Sequence, residues 1–208
     1  MIELALDGLV AQIDPHRAVV AGLFLSPHTD RDSPDRDGHD RPAPLLWPTP
    51  PQPASDDDNS YEILDRTPLS ARFIQRGPVP ITRRFEIEPG ALRIGMAPSP
   101  PPNATDGHPG DGSDHDVSDR GMVLDLCRCP FAMGDPARIE AQDGLFIRLL
   151  WLRRGVTLAL AADRGRVELR TDTSIDDPYL AVALLPDTEG AAEATLTIDG
   201  GVRTIEDQ

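Results

Sequence analysis

Apolar and polar positions alternate most clearly between residues 144 and 173. Because successive side chains of a strand point to opposite faces, three runs in this stretch predict three strands, with Arg153-Arg154-Gly155 and Asp163-Arg164-Gly165 as turns. The first run is apolar on one face and nearly so on the other, which is typical of a central strand buried on both sides. Connections this short predict antiparallel pairing, and Leu149 and Trp151 are expected to pack in the core.

Shorter alternating runs predict further strands elsewhere in the chain. Asp7-Gly8 is a strong signal for a type I′ hairpin turn, and Pro80 predicts a strand that begins late or lies at an edge. Strand signal also resumes at Tyr61. The other predicted strands cover residues 2–6, 9–13, 18–25, 69–76, 79–87, 121–127, 137–141, 179–185, 193–198 and 202–205.

These strands, with turns between them and no convincing amphipathic helix, predict an all-β protein. The expected architecture is an antiparallel β-sandwich in a single domain over residues 1–208, with a jelly roll as one form that it could take. Residues 26–60 and 96–120 are rich in proline and aspartate and poor in apolar side chains. Such sequences cannot offset their ordering entropy by burial, so both are predicted to be solvated loop insertions.

Charge and composition narrow the classes of partner. The chain has 208 residues and a formal net charge of -15, which argues against binding to nucleic acid or to an anionic membrane. The first residues show no secretory signal, and no apolar run approaches the ~20 residues of a membrane span. A cytoplasmic protein is the expectation.

Metal ligands are present, but their spacing is not that of a known site. The prediction is that the protein binds no metal and no cofactor. Because aspartate oxygens suit calcium and imidazole suits zinc, binding of calcium or zinc across the two insertions is kept as an alternative. Residues 33–38 resemble the start of a calcium loop, but Pro44 stands where that loop needs glutamate. Cys127 and Cys129 lack a second cysteine pair to complete a zinc site. The histidines concerned are His28, His39, His108 and His115.

No catalytic constellation stands out. The chain contains no Gly-x-Ser-x-Gly motif, and His16, the one histidine outside the insertions, lies in a predicted turn with Asp14. With 35 acidic residues, carboxylate pairs can be nominated anywhere and carry no information. No catalytic residue is therefore predicted.

One short apolar cluster is a candidate for binding a partner. Leu45, Leu46 and Trp47 lie within a proline-rich stretch of the first insertion, which resembles a docking motif for a partner's groove. Alternatively, these side chains fold back onto the protein's own sheet edge, since an exposed tryptophan cluster is a liability.

The functional hypothesis follows by elimination. The pattern favours a non-catalytic structural or protein–protein interaction subunit of a larger assembly, for example of a bacterium or phage, with other subunits or a second copy as partners. It is not expected to be an enzyme. The alternatives are a β-sandwich that binds a carbohydrate or a metal ion and, after that, a hydrolase with scattered acidic residues.

Overall fold

The structure is a computed structural model that describes residues 1–25, 61–76, 79–99, 122–127, 138–142, 144–151, 156–172 and 179–199. These residues form strands joined by turns, and they contain no helix. The strands are β1 (Ile2–Leu6), β2 (Leu9–Asp14), β3 (Val19–Leu25), β4 (Tyr61–Arg66), β5 (Ser70–Gln75), β6 (Ile81–Glu88), β7 (Ala91–Pro98), β8 (Met122–Cys127), β9 (Arg138–Gln142), β10 (Phe146–Trp151), β11 (Val156–Arg164), β12 (Arg166–Asp172), β13 (Tyr179–Leu185) and β14 (Ala192–Asp199).

The strands build two layers. One layer is an eight-stranded sheet with the order β4-β5-β6-β7-β14-β11-β10-β9, and the other consists of two three-stranded sheets, β1-β2-β3 and β12-β13-β8. Every pairing is antiparallel. The small sheets contact the large one through β1 with β6 and through β12 with β10 and β11, while β3 lies beside β8. The predicted antiparallel β-sandwich is confirmed.

The core lies between the layers and contains side chains from all three sheets. Phe73 and Phe85 are fully buried and meet edge to face, with ring centroids 5.9 Å apart. Leu149 is fully buried, as predicted. Burying one such side chain contributes about 1.5–3 kcal/mol, so the inward faces supply most of the stability and leave the outward faces free to carry polar groups.

The first three strands follow the sequence prediction closely. Asp7 and Gly8 have φ values of 48° and 84°, as a two-residue type I′ turn requires. The β2–β3 turn is fastened by Asp14, whose Oδ1 accepts the backbone N–H groups of His16 at 2.9 Å and Arg17 at 3.3 Å. Asp14 and His16 thus have a structural role in this turn.

The large sheet also holds the β2–β3 turn. Arg83 points inward between core residues of β6, and its Nη1 donates to the carbonyl oxygens of Arg17 at 3.0 Å and Ala18 at 3.2 Å. Its guanidinium lies 4.6 Å from the centroid of the Tyr61 ring. Burial lowers the pKa of Arg83. A buried arginine therefore joins the two layers at this end of the sandwich.

Two predictions for residues 144–173 are wrong. β10 is not central, because it lies second from the end of the large sheet and Arg148 on its outward face is exposed. β11 and β12 pair in different sheets, so Asp163-Arg164-Gly165 is a corner and not a hairpin. Gly165 makes the corner possible, since its φ is +78° and a Cβ there would lie 2.3 Å from the Leu185 carbonyl oxygen.

The strand β7 is absent from the prediction. Pro89 and Gly90, with φ +71° at the glycine, form a two-residue hairpin turn, after which Leu92, Ile94 and Met96 are buried. The predicted start of the second insertion at residue 96 is therefore too early, because β7 continues through Pro98. The first insertion, the rest of the second, the predicted strand 202–205 and the side chain of Trp151 lie outside the described residues.

Candidate functional site

The outward face of the large sheet carries a small depression at its centre. Its floor and walls come from four adjacent strands, β6, β7, β14 and β11, and its volume is about 80 Å³. Alternation explains the polarity of this face, because the neighbours of each outward residue point into the core. The lining residues are Arg84, Glu86, Arg93, Ile94, Gly95, Asp163, Glu193 and Ala194.

Gly95 creates the depression. Cross-strand register places it between Arg84 of β6 and Glu193 of β14. A Cβ at this position would lie 3.9 Å from Arg84 Cβ and 3.9 Å from Glu193 Cγ, which is ordinary contact. Crowding therefore does not force this position to be glycine. The absence of a side chain leaves a gap between Arg84, a cation, and Glu193, an anion.

The arginines of the depression already have anionic partners. Arg84 is ion-paired with Glu86, and Arg93 Nε lies 3.0 Å from Glu88 Oε1. These side chains are largely exposed, so each pair contributes little to stability. Their effect on the site is to hold N–H donors at its edge while cancelling most of the positive charge.

The acidic side chains of β11 and β14 are different. Asp163 Oδ2 accepts the hydroxyl of Thr195 at 2.6 Å. Glu193 has no ion-pair partner among the residues that the structure describes. Carboxylate oxygens accept hydrogen bonds from hydroxyl groups and arginine N–H groups donate to them. The depression therefore offers acceptors and donors side by side, which suits a small polyhydroxylated molecule.

Asp14 and His16, the candidate residues whose side chains the structure describes, do not line this depression. Leu45, Leu46 and Trp47 fall outside the described residues, as do His28, His39, His108, His115 and Cys129, and Cys127 ends β8 with an undescribed side chain. Within the described ranges, no three His, Cys, Asp or Glu side chains come together in a way that would hold a metal ion.

The residues lining the depression could not be picked out from the sequence alone. Arg84 and Glu86 alternate with core residues in β6 and so resemble an ordinary solvated strand face. The one available signal was Gly95, because an isolated glycine inside an alternating run indicates a bulge or a place of close approach.

The described residues contain no helix with the length and apolar character to cross a membrane.

Similarity to known proteins is confined to structure. No family model matches the chain, and no curated protein matches it. A protein of Escherichia coli K12 named as an aldose 1-epimerase superposes with a TM-score of 0.52 at 10% identity, covering 95% of this chain and 98% of that one. A galactose mutarotase related enzyme of Lactobacillus acidophilus superposes with a TM-score of 0.52 at 11% identity, covering 99% of each chain.

These likenesses show the fold that the chain shares with the two proteins. They also correct the functional hypothesis: a non-catalytic structural subunit of a bacterial or phage assembly is wrong, and so is the expectation of no enzyme, because the matching structures are named as sugar enzymes. The alternative of a β-sandwich that binds carbohydrate agrees better with them. The chain has a β-sandwich fold similar to that of these two proteins.

Proposed function

We propose that the protein is a carbohydrate enzyme that binds a sugar in the Gly95 depression and interconverts its anomers. The observation that carries the proposal is the pair of carboxylates, Asp163 and Glu193, beside a gap in the outward face of a fold similar to that of named sugar epimerases. Similar folds can host unrelated functions, so the residues of the depression carry the argument and the fold supports it.

Anomer interconversion needs only proton transfers. A base takes the proton of the C1 hydroxyl, the C1 to ring-oxygen bond breaks, and an acid protonates the ring oxygen, which gives the open-chain aldehyde. Rotation about C1–C2 followed by the reverse transfers closes the ring with the other configuration. Paired carboxyl groups can perform both transfers.

The two carboxylates differ in a way that assigns their roles. Thr195 donates to Asp163, which fixes the orientation of that carboxylate beside the depression, so Asp163 is proposed as the base. Glu193, on the neighbouring strand, is proposed to deliver the proton to the ring oxygen after taking one from water. Arg84 and Arg93 are proposed to donate to the other sugar hydroxyls.

A sugar-binding module without catalysis is the second candidate. Glu193, Asp163 and Arg84 are all exposed, whereas catalytic carboxylates are commonly desolvated to tune their acidity. The openness of the depression is the specific observation that favours binding alone.

Freshly dissolved α-D-galactose tests both candidates. The wild-type protein is expected to speed the approach of optical rotation to equilibrium, with Asp163→Asn and Glu193→Gln each lowering the catalysed rate by about a hundredfold or more. Glu62→Gln, which alters an exposed carboxylate near the β4 end of the sheet, is the matched control and should leave the rate unchanged. Galactose binding without acceleration supports the second candidate, and the absence of both contradicts the proposal.

A further inference from the structure

A β-bulge lies at one acidic wall of the depression. Ala162 of β11 pairs with Ala194 of β14, but the next pair joins Arg164 to Glu193, so Asp163 is an extra residue in its strand. Bulges of this kind redirect side chains next to functional sites. Here the bulge sets Asp163 and Arg164 opposite Glu193, with Asp163 lining the depression.

Arg164 connects this bulge to the turn that leads into β14. Its Nε donates to Asp187 Oδ2 at 2.6 Å, and its Nη2 donates to the Glu189 carboxylate. The hydrogen bond with Asp187 raises the pKa of Arg164 and lowers that of Asp187. A two-pronged contact of this type fixes direction as well as distance.

The partner of Arg164 is itself held in place. Asp187 Oδ1 accepts the backbone N–H groups of Glu189 at 2.9 Å and of Ala191 at 3.0 Å, and the Asp187 N–H donates to the Ala191 carbonyl oxygen at 2.8 Å. Gly190 turns the chain with φ +78°. Ala191 precedes β14, so the turn is tied to the strand that carries Glu193 and Thr195.

We propose that Arg164 is a positioning residue: by clamping the bulge to the 186–191 turn, it holds Asp163 against Thr195 and facing the bound sugar. The inference rests on the proposed function for its consequence in catalysis, whereas the position of Asp163 can be measured without a sugar. Arg164 does not line the depression, so it acts through Asp163 and not through contact with substrate.

Three variants separate positioning from general stability. Arg164→Met removes both ion pairs and keeps the apolar stem, and Arg164→Lys restores the charge without the two-pronged geometry. Arg76→Met removes another exposed ion pair, 2.9 Å from Glu62, at a distant part of the same sheet. Because Arg164→Met loses an oriented hydrogen bond to a charged group, we expect its galactose affinity or its kcat/KM to fall about tenfold. Arg164→Lys should recover part of this loss. Arg76→Met should leave both the affinity and kcat/KM unchanged.

The double variant Arg164→Met/Asp163→Asn provides the decisive readout. If Arg164 acts through Asp163, the effect of Arg164→Met on kcat/KM disappears in the Asp163→Asn background. Equal effects in both backgrounds overturn the inference.

A second readout is independent of the sugar. The carbon-13 signal of the Asp163 carboxylate should shift in Arg164→Met and stay in place in Arg76→Met. An unshifted signal in Arg164→Met overturns the inference even if the protein acts on galactose. If the wild-type protein neither binds nor converts galactose, the proposed function fails, and the carboxylate signal alone decides the role of Arg164.

Discussion

Replacing Gly95 by valine should separate function from stability, because it fills the depression without disturbing the core. The backbone of Gly95 does not require glycine, and a Cβ there meets no atom closer than 3.9 Å. Valine is a better strand former than glycine, so the free energy of unfolding should stay the same or rise by about 0.5–1 kcal/mol. In a chain of this size, that corresponds to a melting temperature raised by about 1–4 °C.

Sugar binding should change in the opposite direction. The two added methyl groups enter a depression of only about 80 Å³, and forcing a ligand against them costs about 1–3 kcal/mol, or roughly a five- to 150-fold loss of affinity. Calorimetric titration with D-galactose and thermal unfolding measure the two effects on one sample. Ala97→Val is the matched control, since Ala97 is exposed two residues further along the same face of β7 and does not line the depression.

Two outcomes would refute the reasoning for Gly95. Unchanged galactose affinity in Gly95→Val would show that the sugar does not occupy the depression. A marked loss of stability would show that the space above Gly95 is not free.

Three further changes test other parts of the structure. Phe85→Ala should lower the free energy of unfolding by about 3–5 kcal/mol in urea denaturation, because it removes a fully buried ring and its contact with Phe73; a loss below about 1 kcal/mol would contradict the described core. Gly165→Ala should cost at least about 2 kcal/mol, since it strains a positive φ and drives a Cβ into the Leu185 carbonyl, whereas Gly90→Ala, also at positive φ but in open space, should cost less. Pairing with Arg164 lowers the pKa of Asp187, so this pairing stabilises the folded state at pH values above the ordinary pKa near 3.8, and the contribution disappears as the pH falls through the lowered pKa. The difference in melting temperature between wild type and Asp187→Asn should therefore be present at pH 7 and vanish in strong acid. A difference that does not depend on pH would argue against the ion pair.

Local sequence patterns are sufficient to predict those strands whose connecting turns can adopt only one structure. β1, β2 and β3 follow from alternation and from Asp7-Gly8, because a two-residue loop with both φ values positive permits little except a hairpin. Residues 163–165 have similar turn chemistry, yet the chain bends there into another sheet. The difference depends on which strands compete for the edges of β11, and that competition is decided by distant residues.

The depression could not be predicted from the sequence for the same reason. Its walls come together through the pairing of β7 with β14, two strands about a hundred residues apart in sequence. Each wall residue resembles an ordinary solvated position within its own strand, and local alternation does not encode the register that sets Asp163 beside Glu193. The fold class therefore follows from periodicity, whereas the site depends on register.

Mapping the galactose contact residue by residue tests the central claim most directly. In a titration of the nitrogen-15 labelled wild-type protein with D-galactose, the account predicts saturable shifts of the backbone amides of Gly95, Glu193, Thr195 and Asp163, with those of the small sheet β1-β2-β3 unmoved. Saturable shifts that leave these four amides in place, or no shifts at all, would contradict a sugar site on the outward face of the large sheet.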